Sequence, residues 1–330
     1  MRYLITGGAG FIGSHVTDAL VARGDEVLVL DDLSTGRLEN LDHLAGTGSM
    51  ELIEGSVLDE RLVDECVEAA DVCLHLAAAV GVQLVVANPL DSLHRNVRGT
   101  EIVLAATARH RRRTLFASSS EVYGKAGTAP LREDADRVIG SPLTARWGYA
   151  AAKALGEALA HAYFREQGAE MVIVRLFNTV GPRQRGAYGM VLPRFVEQAL
   201  RGADVTVFGN GTQSRCFVHV ADVVDAALLL VESDLAIGQA FNVGAINEMP
   251  IVELARQVIE RTNSESTIRL VPYEEAYEQG FEEIGQRMPD TTAVRRLTRW
   301  EPRRTTDDAI DDVIAFQVAL NRQNGAGVAG

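Results

Sequence analysis

A short apolar segment, residues 2–6 (RYLIT), runs straight into Gly7-Gly-Ala-Gly-Phe-Ile-Gly13, and a helical pattern follows over residues 14–23. A second apolar run, residues 26–30 (EVLVL), ends in Asp31-Asp32. Strand, glycine turn, helix, strand, acid is an order that few folds can satisfy. The glycines let the backbone turn tightly and bring amide N–H groups against a diphosphate at the positive end of the helix. Asp31 is then placed to accept hydrogen bonds from an adenosine ribose, which favours NAD over its 2′-phosphorylated form.

The alternation continues downstream. Residues 51–53 and 72–77 (VCLHLA) read as strands, with a helix over about 59–69 between them. Residues 90–109 read as one long helix, and 114–117 (TLFA) as a strand delivering Ser118-Ser-Ser-Glu121. After a further helix comes the apolar strand 171–176 (MVIVRL). Short apolar strands alternating with amphipathic helices predict an α/β fold, a Rossmann-type doubly wound parallel sheet with its site at the strands' carboxyl ends. Residues 7–13, 31–32, 77–81 and 118–121 all fall at such ends.

From about residue 178 the texture changes. The expected division is residues 1–177 as the dinucleotide-binding domain and 178–330 as a smaller, interleaved C-terminal α/β lobe. Helices are expected over 191–201, 220–231 and 251–261, with strands at 205–208 and 267–271. The strand 240–243 (AFNV) can rejoin the main sheet. A polar loop runs to residue 289, two amphipathic stretches end near 317, and residues 324–330 are expected to fray.

Composition narrows the function classes. The 330-residue chain is 47% hydrophobic with a net charge of −13, which argues against nucleic acid as a partner. Its one basic knot, Arg109-His-Arg-Arg-Arg113, stands where a helix should end and reads as solvated C-terminal charge. Cys66, Cys73 and Cys216 show no spacing for a disulfide framework or a zinc site. With no metal cluster, no signal-peptide pattern and no membrane-length apolar run, the chain reads as a soluble cytoplasmic protein.

Tyr149 and Lys153 lie at i and i+4 in a segment of strong helix formers, so phenol and ammonium share a face. A nearby cation favours the phenolate, and such a pair can exchange a proton with a substrate hydroxyl. His75, inside an apolar strand, reads as structural.

Taken together, these motifs resemble the extended short-chain dehydrogenase/reductase family, in its sugar-nucleotide epimerase/dehydratase/decarboxylase group. The carrying residues are Gly7–Gly13, Asp31-Asp-Leu-Ser-Thr-Gly36, His75-Leu-Ala-Ala78, Ser118-Ser-Ser-Glu-Val-Tyr-Gly124, Tyr149 with Lys153, and Arg175-Leu-Phe-Asn178. Gly181-Pro-Arg183, residues 211–220 (GTQSRCFVHV), Arg287-Met-Pro-Asp290 and Trp300-Glu-Pro302 extend the match to about residue 317. The resemblance implies that Gly7, Gly10, Phe11, Ile12 and Gly13 hold the NAD diphosphate, and Asp31, Asp32, Ser34, Thr35 and Gly36 the adenosine side. It places Ser56, Val57, Leu76, Ala77, Ala78 and Ser118 beside the cofactor. Ser119 would bind the reacting sugar hydroxyl, Tyr149 would act as its base, and Lys153 would hold the nicotinamide ribose and depress the tyrosine pKa. Ser120, Glu121, Asn178, Val191, Arg194, Val207, Arg215 and Arg287 would line the substrate site, with arginines on the nucleoside diphosphate. Relatives dimerise through two helices per subunit, here near 90–109 and 149–167.

The implied chemistry begins with transfer of a C4 hydride to NAD, leaving a 4-keto sugar. A 4-epimerase returns the hydride to the other face, a 4,6-dehydratase eliminates water, and a decarboxylase loses CO2 from a uronic acid whose C4 ketone is β to the carboxylate. Ser120 stands where dehydratases carry an aspartate, which counts against dehydration. C4 epimerisation of a UDP-hexose or UDP-hexuronate is placed slightly ahead of UDP-glucuronate decarboxylation, and Glu121 is the residue expected to separate them. A non-catalytic NAD-binding regulator is a remote alternative.

Overall fold

The computed structural model describes residues 1–81, 85, 87–126, 129–186, 189–276 and 287–326. Strands β1 (Arg2–Thr6), β2 (Glu26–Asp31), β3 (Met50–Glu54), β4 (Val72–His75), β5 (Arg113–Ser119) and β6 (Met171–Leu176) form one parallel sheet with Ala240–Val243. The spatial order is Ala240–Val243, β6, β5, β4, β1, β2, β3. The order reverses between β1 and β4, which opens a crevice at the carboxyl ends of both. The strands are apolar throughout because helices cover both faces: Leu4 packs with Val63 and Val103 on one side, Ile5 with Val16 and Leu230 on the other. Helix α1 (Phe11–Ala22) follows the glycine turn, and α2 (Glu60–Glu68) is capped by Asp59, which accepts from the Arg61 and Leu62 amides.

The expected single helix over 90–109 is built in three pieces. Pro89–Leu93 and Thr100–Arg109 are α-helical, and His94–Gly99 between them is a π-turn. Within that turn Asn96 accepts from the Ala79 amide at 2.9 Å and donates to the Ala79 carbonyl at 3.0 Å. The wider turn thus accompanies a side chain anchoring the edge of the crevice, a demand that periodicity does not reveal.

Helix Arg146–Gln167 lies against β5 at close range. A Cβ on Gly156 would come within 2.5 Å of the Phe116 ring, so the glycine sets the helix-to-sheet distance. The helix ends at Gly168 in the left-handed conformation, φ 67°.

The chain beyond β6 supplies both a second core and part of the first. Val220–Val231, Ala240–Val243 and Trp300 pack into the core of the main sheet. Helices Val191–Leu200, Ile251–Arg261 and Thr306–Ala326 instead enclose Phe195, Val207, Leu254 and Ile310. Among the described residues three two-stranded sheets complete this lobe, including Ile268–Val271 beside Val205–Phe208. The last helix reaches residue 326, beyond the expected end near 317 and into the stretch expected to fray; residues 327–330, and 277–286 of the expected polar loop, lie outside the described residues. Among the described residues no helix is long and apolar enough to cross a membrane.

Candidate active site

The crevice continues into a cavity of about 680 Å³ bounded by the sheet, the Arg146–Gln167 helix and the second lobe. Its inner end is a backbone cradle. Helix α1 starts at Gly10 without a side-chain cap, so its first amides are left to a ligand. Bulk is excluded there: a Cβ on Gly13 would lie 2.1 Å from the Gly7 carbonyl. Gly7, Gly10, Phe11, Ile12 and Gly13 all line the cavity. Asp31, at the end of β2, is buried and accepts from the Ala9 amide (2.9 Å) and the Leu33 amide (2.8 Å). Burial pushes its carboxyl up, and those two amides pull it back. Asp32 faces Arg95, 2.6 Å away, and both line the cavity with Ser34 and Thr35. Ser56, Val57, Leu76, Ala77, Ala78 and Ser118 line the same half. Gly36 is outside the lining and packs on Asp31, where a Cβ would meet the carboxylate at 2.8 Å. An amide-lined, side-chain-free turn beside a fixed carboxylate fits a dinucleotide's diphosphate and ribose.

The reacting groups converge where β5 meets the Arg146–Gln167 helix. Lys153 is 2% exposed and its Nζ donates to the Ala117 carbonyl at 2.7 Å, 6.0 Å from the Tyr149 ring. Burial lowers its pKa to about 8, while the Glu157 carboxylate pulls it up. The Tyr149 phenol is raised above its ordinary value, first by burial and then by the Glu121 carboxylate; a hydrogen bond with Ser119 draws it back. The expected depression by Lys153 is therefore not seen in the protein alone: the ammonium is turned to a backbone carbonyl, and desolvation dominates. Ser119 Oγ also accepts from the Glu121 amide at 3.3 Å, capping the 3-10 turn Ser120–Tyr123.

Glu121 is the electrostatic centre of the middle of the cavity. Arg287 grips it through Nη1 at 2.5 Å and Nη2 at 3.0 Å, and Arg146 stands 3.8 Å away. Burial would raise this carboxyl, but Arg287, then Arg146 and Arg215, hold it below the usual carboxylate range. Arg287, expected on the nucleoside diphosphate, here pairs with a carboxylate inside the site. No local pattern links positions so far apart; tertiary folding brings them together. Ser120, 4% exposed, lines the cavity beside it.

At the outer end, Asn178, Val191, Arg194 and Arg215 line the cavity. The Arg194 guanidinium lies 4.0 Å over the Phe208 ring and donates to the Thr206 carbonyl at 3.1 Å. Val207 does not join them. It is fully buried in the lobe's core, because its strand alternates and presents its neighbour Phe208 to the cavity instead.

Sequence reasoning quoted but did not assign Arg183, which lines the cavity at φ 68° and ties the second lobe to α1 through Asp18, 2.8 Å, and His15 Nδ1, 3.2 Å. Arg146 and Phe217 likewise stood in quoted segments without an assigned role, and Arg95, Phe208 and Tyr273 were given no site role, though all five line the cavity. Their signal was weak, since isolated arginines and aromatics are common in any chain. His75 is buried and bonded to Thr6 Oγ1 (2.7 Å) and Thr100 Oγ1 (3.1 Å), as a structural histidine should be. Among the described residues no cluster of three or more His, Cys, Asp or Glu could hold a metal.

Residues 3–244 match the model of the NAD dependent epimerase/dehydratase family. The chain is 40% identical over 316 residues to the UDP-N-acetyl-alpha-D-glucosaminuronate decarboxylase of Bacillus cytotoxicus, covering 96% of this chain and 97% of that one. It is 34% identical to UDP-glucuronic acid decarboxylase 1 of Danio rerio, over 96% of this chain and 72% of the relative. Among solved structures, the UDP-glucose 4-epimerase of Thermotoga maritima, with UDP-glucose, superposes with a TM-score of 0.86 at 29% identity, covering 97% and 99% of the two chains.

Proposed function

Because the chain belongs to the NAD dependent epimerase/dehydratase family, we propose that it is a decarboxylase of UDP-linked hexuronates, UDP-glucuronate or its 2-acetamido counterpart, using NAD as cofactor. The observation that carries the reading is the cluster of three arginines, Arg287, Arg146 and Arg215, acting on the one carboxylate of Glu121 beside Tyr149. Arg287 and Arg146 are buried and Arg215 is half-buried, and positive charge held out of water favours a substrate that brings an anion of its own and develops further negative charge in the reaction. A neutral hexose brings none. The two decarboxylase relatives weigh the same way and reverse the order in which sequence alone placed the two reactions.

The protein's part in the reaction follows from its side chains. When bound, NAD supplies the acceptor for the C4 hydride. Tyr149, bonded to Ser119, takes the proton of the C4 hydroxyl, and Ser119 holds that oxygen. Tyr149 does this as the phenolate, which the Lys153 ammonium stabilises, and the phenol so formed gives the proton back when the ketone is reduced. The resulting C4 ketone is β to the sugar carboxylate, so CO2 leaves to give an enolate. Arg287 and Arg146, which contact Glu121, stabilise that charge, and a proton returns to C5 before the ketone is reduced. Arg194 with Phe208, and Arg215, hold the nucleotide end and convert binding there into orientation at C4.

A second reading, C4 epimerisation, is favoured by the likeness to the Thermotoga maritima enzyme. Incubating the protein with NAD and UDP-glucose or each UDP-hexuronate, followed by liquid chromatography with mass spectrometry, separates the two. A product lighter by CO2 supports decarboxylation, a chromatographically distinct isomer of unchanged mass supports epimerisation, and no turnover of any of these sugars overturns both.

We also propose that two copies pair through the helices within residues 90–109 and 149–167, where Leu90, Leu93 and Leu155 are exposed. Sedimentation velocity giving a monomer at micromolar concentration would refute it. Three buried free cysteines suit a reducing, cytoplasmic setting.

A further inference from the structure

Behind Ser119, Tyr149 and Lys153 lies a buried polar assembly that none of the steps above uses. Its centre is Glu157, one turn beyond Lys153 on the same helix and 3% exposed. Its Oε1 accepts from Ser118 Oγ at 2.5 Å and Arg175 Nε at 2.9 Å; its Oε2 accepts from Arg175 Nη2 at 2.8 Å and from Arg137 Nη2. Arg175 also donates to Tyr123 Oη at 2.8 Å, and Tyr123 donates to Asn242 Oδ1 at 2.7 Å. Asn242 in turn donates to the Asp290 carbonyl at 3.2 Å, on the segment that carries Arg287. One carboxylate is therefore tied to the strand end bearing Ser119, to the turn bearing Glu121 and to the Arg287 segment.

We propose that Glu157 is a positioning residue: clamped by Arg175 and Arg137, it fixes Ser118 beside Ser119 and supplies the negative charge that keeps Lys153 an ammonium in its buried setting. The inference rests on the role given above to Lys153, in the oxidation step that both readings of the function share. The groups facing Lys153 are Tyr149 and Glu157 from its own helix, the Ala117 carbonyl from β5, and His75 from β4. His75 has its pKa pushed down to about 3 and is neutral. Arg175 from β6 and Arg137 face Glu157, and Glu121 with Arg287 and Arg146 lies on the Tyr149 side. Two arginines against one carboxylate set the balance, so each charge change has a defined sign.

The test measures NAD affinity by calorimetry, and turnover where there is any, from pH 6 to 10. Glu157→Gln removes the favourable charge and leaves two guanidinium groups uncompensated. Lys153 then loses its proton at lower pH, and the alkaline fall in affinity moves down by about one pH unit or more. Arg137→Gln removes a part-exposed cation and moves the same limb up. Glu157→Asp restores the wild-type profile in part. A folded Glu157→Gln or Arg137→Gln protein whose limb stays at the wild-type pH, with only its amplitude reduced, overturns the proposal. Should Glu157→Gln not fold, Arg137→Gln decides alone. Failure of the functional reading shows separately, as absence of turnover with an intact pH dependence of NAD affinity.

Discussion

Burial and the Glu121 carboxylate push the Tyr149 phenol above its ordinary range, so the phenol depends on neighbouring charge to act as a base. Tyr149→Phe should lower turnover by about 10²–10⁴-fold while NAD affinity stays within a few-fold, since general-base assistance is lost and the glycine cradle is untouched. Parallel calorimetry and product assays check this. Glu121→Gln should move the acid limb of the rate profile to lower pH, because removing the carboxylate lowers the phenol's pKa and frees Arg287 toward it. A limb that stays in place would show that Glu121 does not act on Tyr149. At the far end of the cavity, Arg194→Ala removes a charged group from the Phe208 face. KM for the nucleotide sugar should rise about 10- to 100-fold with kcat little changed, the scale of one charge-assisted contact.

The Arg146–Gln167 helix carries Tyr149 and Lys153 at a depth that Gly156 permits. Gly156→Ala places a methyl group within 2.5 Å of the Phe116 ring and within 3.2 Å of Thr100. The helix must move outward, which should cost about 1–3 kcal/mol in a urea titration. It should also lower kcat more than it raises KM, because Lys153 is drawn away from the Ala117 carbonyl. Strands and helices of the first half were legible in the sequence, since buried parallel strands are continuous apolar runs and the covering helices are amphipathic. The π-turn at His94–Gly99 was not: an extra residue in a helical turn leaves the apolar spacing almost unchanged, and its partner, Ala79, is distant in the chain.

Over the whole molecule, neutral histidines held out of water, His75 buried and His15 half-buried, link stability to acid. His75 is lowered to about 3 and His15 to about 4, in both cases mainly by desolvation, against about 6.5 when unfolded. The unfolded chain thus binds two more protons across the window between those values. Stability is greatest above pH 6.5 and falls as the pH drops toward 4. Between pH 6.5 and 5 the two groups should together remove about 3 kcal/mol, read as a shift in urea midpoint, and His15→Gln should roughly halve that slope. A midpoint independent of pH over this range would contradict the desolvation of both. His15 also joins Arg183 and Asp18 where the second lobe meets α1, so its loss should loosen that junction.

By itself the sequence pointed to the doubly wound sheet, the dinucleotide turn, Asp31 and the Tyr149–Lys153 pair, and through the family resemblance to Ser119; the sheet is present and these residues line one cavity. All but Ser119 rest on local spacing: a glycine where no side chain fits, an acid at a strand end, a phenol and an amine one helical turn apart. Tertiary structure alone decided which charges meet. It brought Arg287, expected on the diphosphate, against Glu121, sent Val207 into the core while its neighbour faces the cavity, and left the Tyr149 phenol raised. It also enclosed Glu157 between Arg175 and Arg137. Electrostatics in a buried site depends on distances between groups far apart in the chain and on the water excluded between them, and neither is written in local pattern.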